Sequence, residues 1–130
     1  MSVYLDASAL VKLVFAEAES DALRQALRGV VAPVTSALSE VELMRVAHRG
    51  STEHVTASRR VLSSVNVMSI GPVVIRAAGN LLPGTSLRSL DAIHLATATV
   101  TPGLAAVITY DVRMIDAAAQ LGLAWSTPGR

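Results

Sequence analysis

The chain has 130 residues, a formal net charge of +1, 52% hydrophobic and 16% charged residues, and no cysteine. This composition excludes intrinsic disorder, a disulfide framework and a thiolate metal site. The near-zero net charge also excludes a globally basic surface that would hold nucleic acid by charge alone. The length predicts one domain spanning 1–130, and the lack of cysteine is typical of a cytoplasmic protein.

Hydrophobic periodicity, capping residues and turn residues predict strands that alternate with helices along the chain. In chain order, the predicted elements are a strand at about 2–5, helices at 8–15 and 20–28, a strand at 30–35, helices at 36–49 and 51–65, a strand at 65–70, helices at 72–82 and 89–100, a strand at 105–110, a helix at 112–121 and a short strand at 123–126. Pro33 is expected to place the second strand at an edge or to kink its start. No membrane span is expected, because every apolar stretch is shorter than about 18 residues. The start of the chain lacks a basic leader, so a signal peptide is not expected either.

This alternation predicts an α/β fold: a three-layer α/β/α sandwich with a central, mainly parallel sheet. In such sheets, ligands bind beyond the carboxyl ends of the strands, where the strand order reverses. Asp6 directly follows the first predicted strand, and Asp111 follows the strand at about 105–110. The two carboxylates are therefore expected to mark the mouth of a site.

Two further acids, Glu42 and Asp91, lie on predicted helices, and each acid has an ordinary structural alternative. Glu42 could pair with Arg45 one turn later, and Asp91 could offset a helix dipole. Asp111 could cap the helix that follows it. His94 is expected to be a hydrogen-bonded packing residue. Four acids in polar helix starts or loops are expected to be solvated charges: Glu17, Glu19, Asp21 and Glu53.

Taken together, four separate elements place a carboxylate in or beside an apolar segment. Carboxylates that share a pocket repel each other, which raises their pKa values until some are protonated. A divalent cation removes that conflict, and hard Mg²⁺ or Mn²⁺ prefers oxygen ligands. The histidine and cysteine spacing of a zinc site is absent from the sequence. The acids therefore indicate a Mg²⁺ or Mn²⁺ site.

These acids also carry a family resemblance. Asp6 in "YLDASALVKL", Glu42 in "SALSEVELMRVAHR", Asp91 in "SLDAIHLATA" and Asp111 in "VITYDVRM" resemble, in order, the motifs of PIN-domain ribonucleases. The closest likeness is to the VapC-type toxins of type II toxin–antitoxin pairs. The resemblance implies a PIN-like fold, with the four acids as catalytic residues converging on Mg²⁺ or Mn²⁺ and Glu42 binding the ion directly or through water.

The resemblance also implies cleavage of RNA to 5′-phosphate and 3′-hydroxyl ends, and inhibition by a cognate antitoxin. Ser8 matches a hydroxyl that orients Asp6 or a metal-bound water, and Thr109 matches a similar supporting position. Arg113 departs from the family pattern, in which many members have an acid or amide two residues after the fourth Asp. That departure puts a complete second metal site in doubt, and Asp116 is a weaker candidate ligand.

Several basic residues are candidate RNA contacts near these motifs. Arg45 and Arg49 share a helical face with Glu42, and three weaker candidates lie elsewhere: Lys12, Arg88 and Arg113. The high hydrophobic content indicates an apolar interface, so a homodimer is expected.

Two other functions remain open from the sequence. A phospho-aspartate phosphatase or receiver domain needs a partner acid beside the nucleophile and a lysine near the phosphoryl group. The segment "DASAL" lacks the adjacent acid, and the only lysine is Lys12. A non-catalytic α/β protein-interaction module would equally account for an apolar surface.

Overall fold

The computed structural model describes residues 2–130, in which five strands form one parallel sheet flanked by seven helices. The strands are β1 (Ser2–Leu5), β2 (Val34–Ser36), β3 (Asn66–Met68), β4 (Leu104–Ile108) and β5 (Trp125–Ser126). The helices are α1 (Ala7–Val14), α2 (Ser20–Ala26), α3 (Ala37–Ala47), α4 (Thr52–Ser63), α5 (Pro72–Gly79), α6 (Ser89–Thr99) and α7 (Val112–Gln120). No helix within these residues has the length and apolar content needed to cross a membrane.

The two faces of the sheet bury different residues because side chains alternate along a strand. Val3 and Leu5 of β1 pack in a cluster with residues of α1, α2 and α3. Tyr4, between them, belongs to a cluster on the opposite face that includes Ala98 of α6. Helices therefore cover both faces, which confirms the predicted α/β/α sandwich.

The second strand differs from its prediction. The strand order is β3-β2-β1-β4-β5, so β2 lies between two partners rather than at an edge. Pro33 directly precedes β2, where its missing N–H costs no ladder bond, and its carbonyl oxygen accepts from the Asn66 N–H at 2.8 Å. The predicted start at 30 is also wrong, because β2 begins at Val34, directly after Pro33.

The sheet order positions the site. From β1 the chain runs outward through β2 to β3, and it then returns to add β4 and β5 on the other side of β1. The strand order therefore reverses between β1 and β4, which pair in parallel with Leu5 opposite Ile108. Asp6 follows β1 directly and Asp111 lies shortly after β4, so both carboxylates lie at this switch point.

Candidate active site

Asp6 is a buried carboxylate held by three hydrogen bonds. It is the N-cap of α1 and is 3% exposed. Its Oδ1 accepts from the Ala9 N–H at 3.1 Å and from the Ser8 hydroxyl at 2.6 Å. Its Oδ2 accepts from the Thr109 hydroxyl at 2.5 Å. These contacts hold the carboxylate in one orientation.

The two hydroxyls that hold Asp6 are themselves fixed by the backbone that follows β4. Ser8 Oγ accepts from the Tyr110 N–H at 2.9 Å, and Thr109 Oγ1 accepts from the Asp111 N–H at 3.1 Å. Each hydroxyl therefore donates to the carboxylate and accepts from the main chain. Of the two roles expected for Ser8, orienting Asp6 or a metal-bound water, the structure shows its contact with Asp6.

The environment of Asp6 disfavours its charged form. Burial raises the pKa of the carboxyl, and the hydrogen bonds from Ser8, Thr109 and Ala9, with the His94 ring, oppose that effect without cancelling it. A cation bound beside Asp6 would restore the carboxylate, because a nearby positive charge favours the ionised form.

A second buried chain of contacts reaches Glu42. His94, 3% exposed, joins Glu42 Oε1 through its Nε2 at 2.7 Å and the Tyr4 hydroxyl through its Nδ1 at 2.6 Å. An ionised carboxylate only accepts, so Nε2 is the donor, and Nδ1 of a neutral ring then accepts from Tyr4. Burial raises the pKa of Tyr4, which keeps the hydroxyl protonated as a donor.

The hydrogen bond from His94 takes the place of the ion pair with Arg45 that was the structural alternative for Glu42. Within residues 2–130, Glu42 is hydrogen-bonded to His94 and forms no salt bridge with Arg45. His94 is buried and hydrogen-bonded, as expected, but its partner is one of the four candidate acids. The Glu42 side chain remains 35% exposed, so it lies at the boundary between the core and solvent.

Asp91 and Asp111 lie at the starts of two helices. Asp111 caps α7, because its Oδ1 accepts from the Arg113 N–H at 3.0 Å. Asp91 lies in the first turn of α6. Partial burial raises the pKa of Asp91, the negative charges of Asp111 and Glu42 raise it further, and His94 and Arg88 act in the opposite direction. Asp111 and Glu42 are therefore both within electrostatic range of Asp91.

The four predicted acids do not form a ready-made ligand cage. Within residues 2–130, no three His, Asp or Glu side chains are grouped closely enough to hold a metal ion. The Asp6 carboxylate accepts from the Thr109 hydroxyl, and Glu42 is bonded to His94. The Asp111 carboxylate accepts from the backbone N–H at the start of its own helix. Asp6, Glu42 and Asp111 are thus each held in separate contacts.

The environment of Lys12 argues against its predicted contact with RNA. The residue is 6% exposed, and its Nζ contacts Glu19 at 3.0 Å and Glu17 at 3.3 Å. The ammonium also lies 4.8 Å from the ring centroid of Tyr110. The charge of Lys12 is therefore satisfied inside the fold.

Glu19 is buried, and the prediction that it is a solvated charge is wrong. Besides Lys12, it binds Arg130, whose Nε contacts Oε2 at 2.6 Å. These two partners lower the pKa of Glu19 to about 2. The reason lies in tertiary structure, because Arg130 is brought to α2 from the far end of the sequence.

The other candidate cations form an exposed rim in two groups. Arg45 and Arg49, with His48, line a cavity of about 480 Å³ on α3. Arg88 and Arg113 line a second cavity of about 440 Å³, together with Asp91 and Asp116. Asp116 therefore faces this second cavity and is not a partner of Asp6.

Sequence reasoning missed the link between Tyr4, His94 and Glu42. The available signal was weak: His94 lies one turn after Asp91 in an otherwise apolar helix, and Tyr4 lies two residues before Asp6. A buried polar side chain needs a partner. The identity of that partner depends on how α3 and α6 pack.

Comparison with known proteins gives a consistent result. The PIN domain model matches residues 3–120. Ribonuclease VapC46 of Mycobacterium tuberculosis is 45% identical over 128 residues, which is 98% of each chain. Ribonuclease VapC35 of the same species is 46% identical over 134 residues, again 98% of each chain.

Solved structures agree on the fold. The chain resembles M. tuberculosis VapC20, a toxin described as cleaving the sarcin–ricin loop, with a TM-score of 0.73, 18% identity and coverage of 97% and 99% of the two chains. It also resembles Rickettsia felis VapBC2 bound to promoter DNA, with a TM-score of 0.75, 12% identity and coverage of 97% and 98%. A toxin–antitoxin complex from Klebsiella pneumoniae gives 0.70, 24% identity and coverage of 84% and 86%. The chain therefore belongs to the PIN-domain family, and within it to the VapC type.

Proposed function

We propose that this protein is a Mg²⁺- or Mn²⁺-dependent endoribonuclease that acts as the toxin of a toxin–antitoxin pair, with residues 1–130 forming one PIN domain. The observation that carries the proposal is the buried Asp6, held by Ser8 and Thr109 at the switch point of the sheet. The ribonuclease reaction is supported by the relatives named Ribonuclease VapC46 and Ribonuclease VapC35, which match the protein over 98% of its length.

The donor chemistry of the site fits an oxygen-preferring cation. Burial raises the pKa values of Asp6 and Asp91, and the charge of Asp111 adds to the effect at Asp91. A divalent cation would offset these charges, and its ligands would be Asp6, Asp91 and Asp111, with Glu42 bound directly or through water. When bound, the ion would supply an activated water and neutralise charge on the scissile phosphate.

The residues of this chain have distinct roles in the proposal. Asp6 is held rigid by Ser8 and Thr109, so its oxygens keep one orientation throughout the reaction. Glu42 accepts the proton of the attacking water, and His94 orients the Glu42 carboxylate through Nε2. Attack by water rather than by the 2′-hydroxyl leaves 5′-phosphate and 3′-hydroxyl ends.

The proposal includes three binding partners and a cellular location. RNA is the substrate, and the exposed arginines beside the acids are the candidate phosphate contacts: Arg45, Arg49, Arg88 and Arg113. An antitoxin is the expected inhibitor, which is supported by the structural likeness to a toxin–antitoxin complex from Klebsiella pneumoniae. A homodimer and a cytoplasmic location complete the proposal.

The alternative functions have less support. A phospho-aspartate mechanism needs a lysine at the phosphoryl group, whereas the only lysine, Lys12, is buried against Glu19. A pure interaction module explains Asp6 as a helix cap but not the two further hydroxyls, of Ser8 and Thr109, that hold its buried carboxylate.

The deciding experiment is RNA cleavage by the purified protein in Mg²⁺, repeated in excess EDTA. We expect cleavage in Mg²⁺, none in EDTA, and none for Asp6→Ala in either buffer. Circular dichroism should show that Asp6→Ala remains folded, and Asp21→Ala, at an exposed surface position, is the matched control. Full activity in folded Asp6→Ala would contradict the proposal.

A further inference from the structure

A second recess lies next to the candidate active site. It is bounded by the loop at 82–88 and by the exposed stripe of α7, and we call it the α7 cleft. Its lining includes four charged side chains and one amide: Arg88, Asp91, Arg113, Asp116 and Gln120. Its volume of about 440 Å³ lies in the range of small-molecule pockets, which is roughly 300–1,000 Å³.

The polar residues that α7 contributes to the cleft lie in a row along the helix. Arg113, Asp116 and Gln120 line it at helical spacings of three and four residues, so they form one row along α7. Arg113 is next to the capping residue Asp111, and Gln120 is about 10 Å further along the axis at 1.5 Å per residue. The row therefore leads from a cation near the acids to hydrogen-bonding groups away from them.

The cavity at the end of α3 is lined by a different set of hydrogen-bonding groups from the α7 cleft. At the C-terminal end of α3, the lining consists of Arg45, His48 and Arg49, and the arginine side chains donate hydrogen bonds but accept none. Donor-only groups of this kind suit phosphate oxygens, and contacts to phosphates position a nucleic acid without reading its sequence. The α7 cleft instead combines cations with a carboxylate and an amide, so it can both hold a phosphate and read a base edge.

We propose that the α7 cleft is a nucleotide subsite that selects the base next to the scissile phosphate. This inference rests on the proposed ribonuclease function. Arg88 and Arg113 would bind the phosphate on the side of Asp91, and Asp116 and Gln120 would bind the base edge. Sequence preference is therefore set on the α7 side, while the α3 side contributes affinity that is independent of sequence.

The lining also indicates which base fits. Asp116 is an acceptor with two oxygens, and Gln120 offers both a donor and an acceptor. Guanine presents two adjacent N–H donors, at N1 and N2, next to the O6 acceptor. Its edge therefore matches a carboxylate beside an amide more completely than the edges of adenine, cytosine or uracil do.

The first test measures binding without cleavage. GMP, AMP, CMP and UMP are titrated into the ¹⁵N-labelled protein in EDTA, and amide shifts are followed by NMR. We expect shifts at Thr85, Ser86 and 113–120, with GMP binding about fivefold or more tightly than the others, the smallest effect of one bidentate base contact. Asp116→Asn should abolish that preference, and Arg49→Ala should retain it. Equal affinities, or shifts confined to 45–49, would overturn the inference.

The second test measures cleavage preference. Cleaved RNA ends are sequenced for the wild type, Gln120→Ala and Arg49→Ala. Gln120→Ala should change the base found next to the cut, whereas Arg49→Ala should reduce cleavage of all sites alike. An unchanged base in Gln120→Ala would overturn the subsite. If the wild type cuts no RNA, the proposed function fails, and the nucleotide titration alone then decides whether the cleft binds guanine.

Discussion

Thr109 and Asp6 are separated by 103 positions in the chain, yet the Thr109 hydroxyl donates to Asp6 Oδ2 at 2.5 Å. The contact exists because β1 and β4 are neighbours in the sheet, with Leu5 opposite Ile108. Thr109 also accepts from the Asp111 N–H, so one hydroxyl connects two of the candidate catalytic acids. The two acids therefore share a single positioning group.

Thr109→Val tests this connection with almost no change in side-chain shape. The variant leaves the Asp111 N–H without its acceptor and Asp6 without one donor, so we expect the free energy of unfolding to fall by about 1–3 kcal/mol. Cleavage should fall as well, because the orientation of Asp6 is loosened. Urea unfolding and a cleavage assay provide the two measurements.

Thr101→Val is the matched control for that variant. Thr101 is also buried, but its hydroxyl donates to the Thr97 carbonyl oxygen at the end of α6. It should reduce stability without reducing cleavage per folded molecule. Equal cleavage by folded Thr109→Val and the wild type would show that the contact is only structural.

The contact between His94 and Glu42 leads to a second prediction. Tyr4→Phe removes the donor to His94 Nδ1 and leaves a buried nitrogen without a partner, so the unfolding free energy should fall by about 1–3 kcal/mol. The neutral ring then loses the contact that fixes Nε2 as the donor to Glu42. Cleavage should decline through the maximal rate more than through the KM for RNA.

Variants of His94 itself separate positioning from packing. His94→Gln keeps an N–H donor for Glu42 and should recover part of the cleavage that His94→Leu loses. Both variants are compared at matched folded fractions, which thermal unfolding measures. If His94→Gln and His94→Leu lower the maximal rate equally, the hydrogen bond to Glu42 has no role in the reaction.

Metal binding should be visible without any substrate. Burial raises the pKa of Asp91 and the charge of Asp111 raises it further, so a divalent cation should relieve the cost of the charged form and stabilise the folded state. We expect millimolar Mg²⁺ to raise the melting temperature of the wild type, and the rise to be smaller in Asp91→Asn. A rise of the same size in both proteins would contradict a shared cation site.

The buried pair of Lys12 and Glu19 gives a pH-dependent prediction. The pKa of Glu19 is lowered to about 2, so its stabilising effect is complete above the ordinary pKa of about 4.5 and is lost as the pH falls toward 2. Glu19→Gln should therefore lower the unfolding free energy at pH 7. The difference from the wild type should shrink progressively between about pH 4.5 and pH 2.

Glu17→Gln is the comparison for Glu19→Gln. Glu17 contacts the same lysine at 3.3 Å, but its side chain is 44% exposed, so solvent screens the pair. Its substitution should change stability little across the same pH range. A Glu19→Gln difference that stays constant from pH 7 to pH 2 would show that the charge of Glu19 does not stabilise the fold.

Much of the fold follows from local sequence. The run 2–5 is apolar and strand-forming, Asp6 and Asp111 are natural N-caps, and Ser51 caps α4, as its position before the helical pattern indicates. Gly103 adopts a positive φ of 64° at the turn before β4, which glycine reaches without a steric penalty. These features depend on neighbours in the chain, so they are readable from the sequence.

The sequence by itself determined the alternation of strands and helices, and therefore a parallel sheet with Asp6 and Asp111 at one end of it. Tertiary structure alone decided which side chains face them. Lys12 is buried against Glu19, Glu42 contacts His94 instead of Arg45, and β2 lies inside the sheet. The reason is physical: caps and periodicity arise within a few residues, whereas the partner of a buried charge depends on which distant elements pack against it.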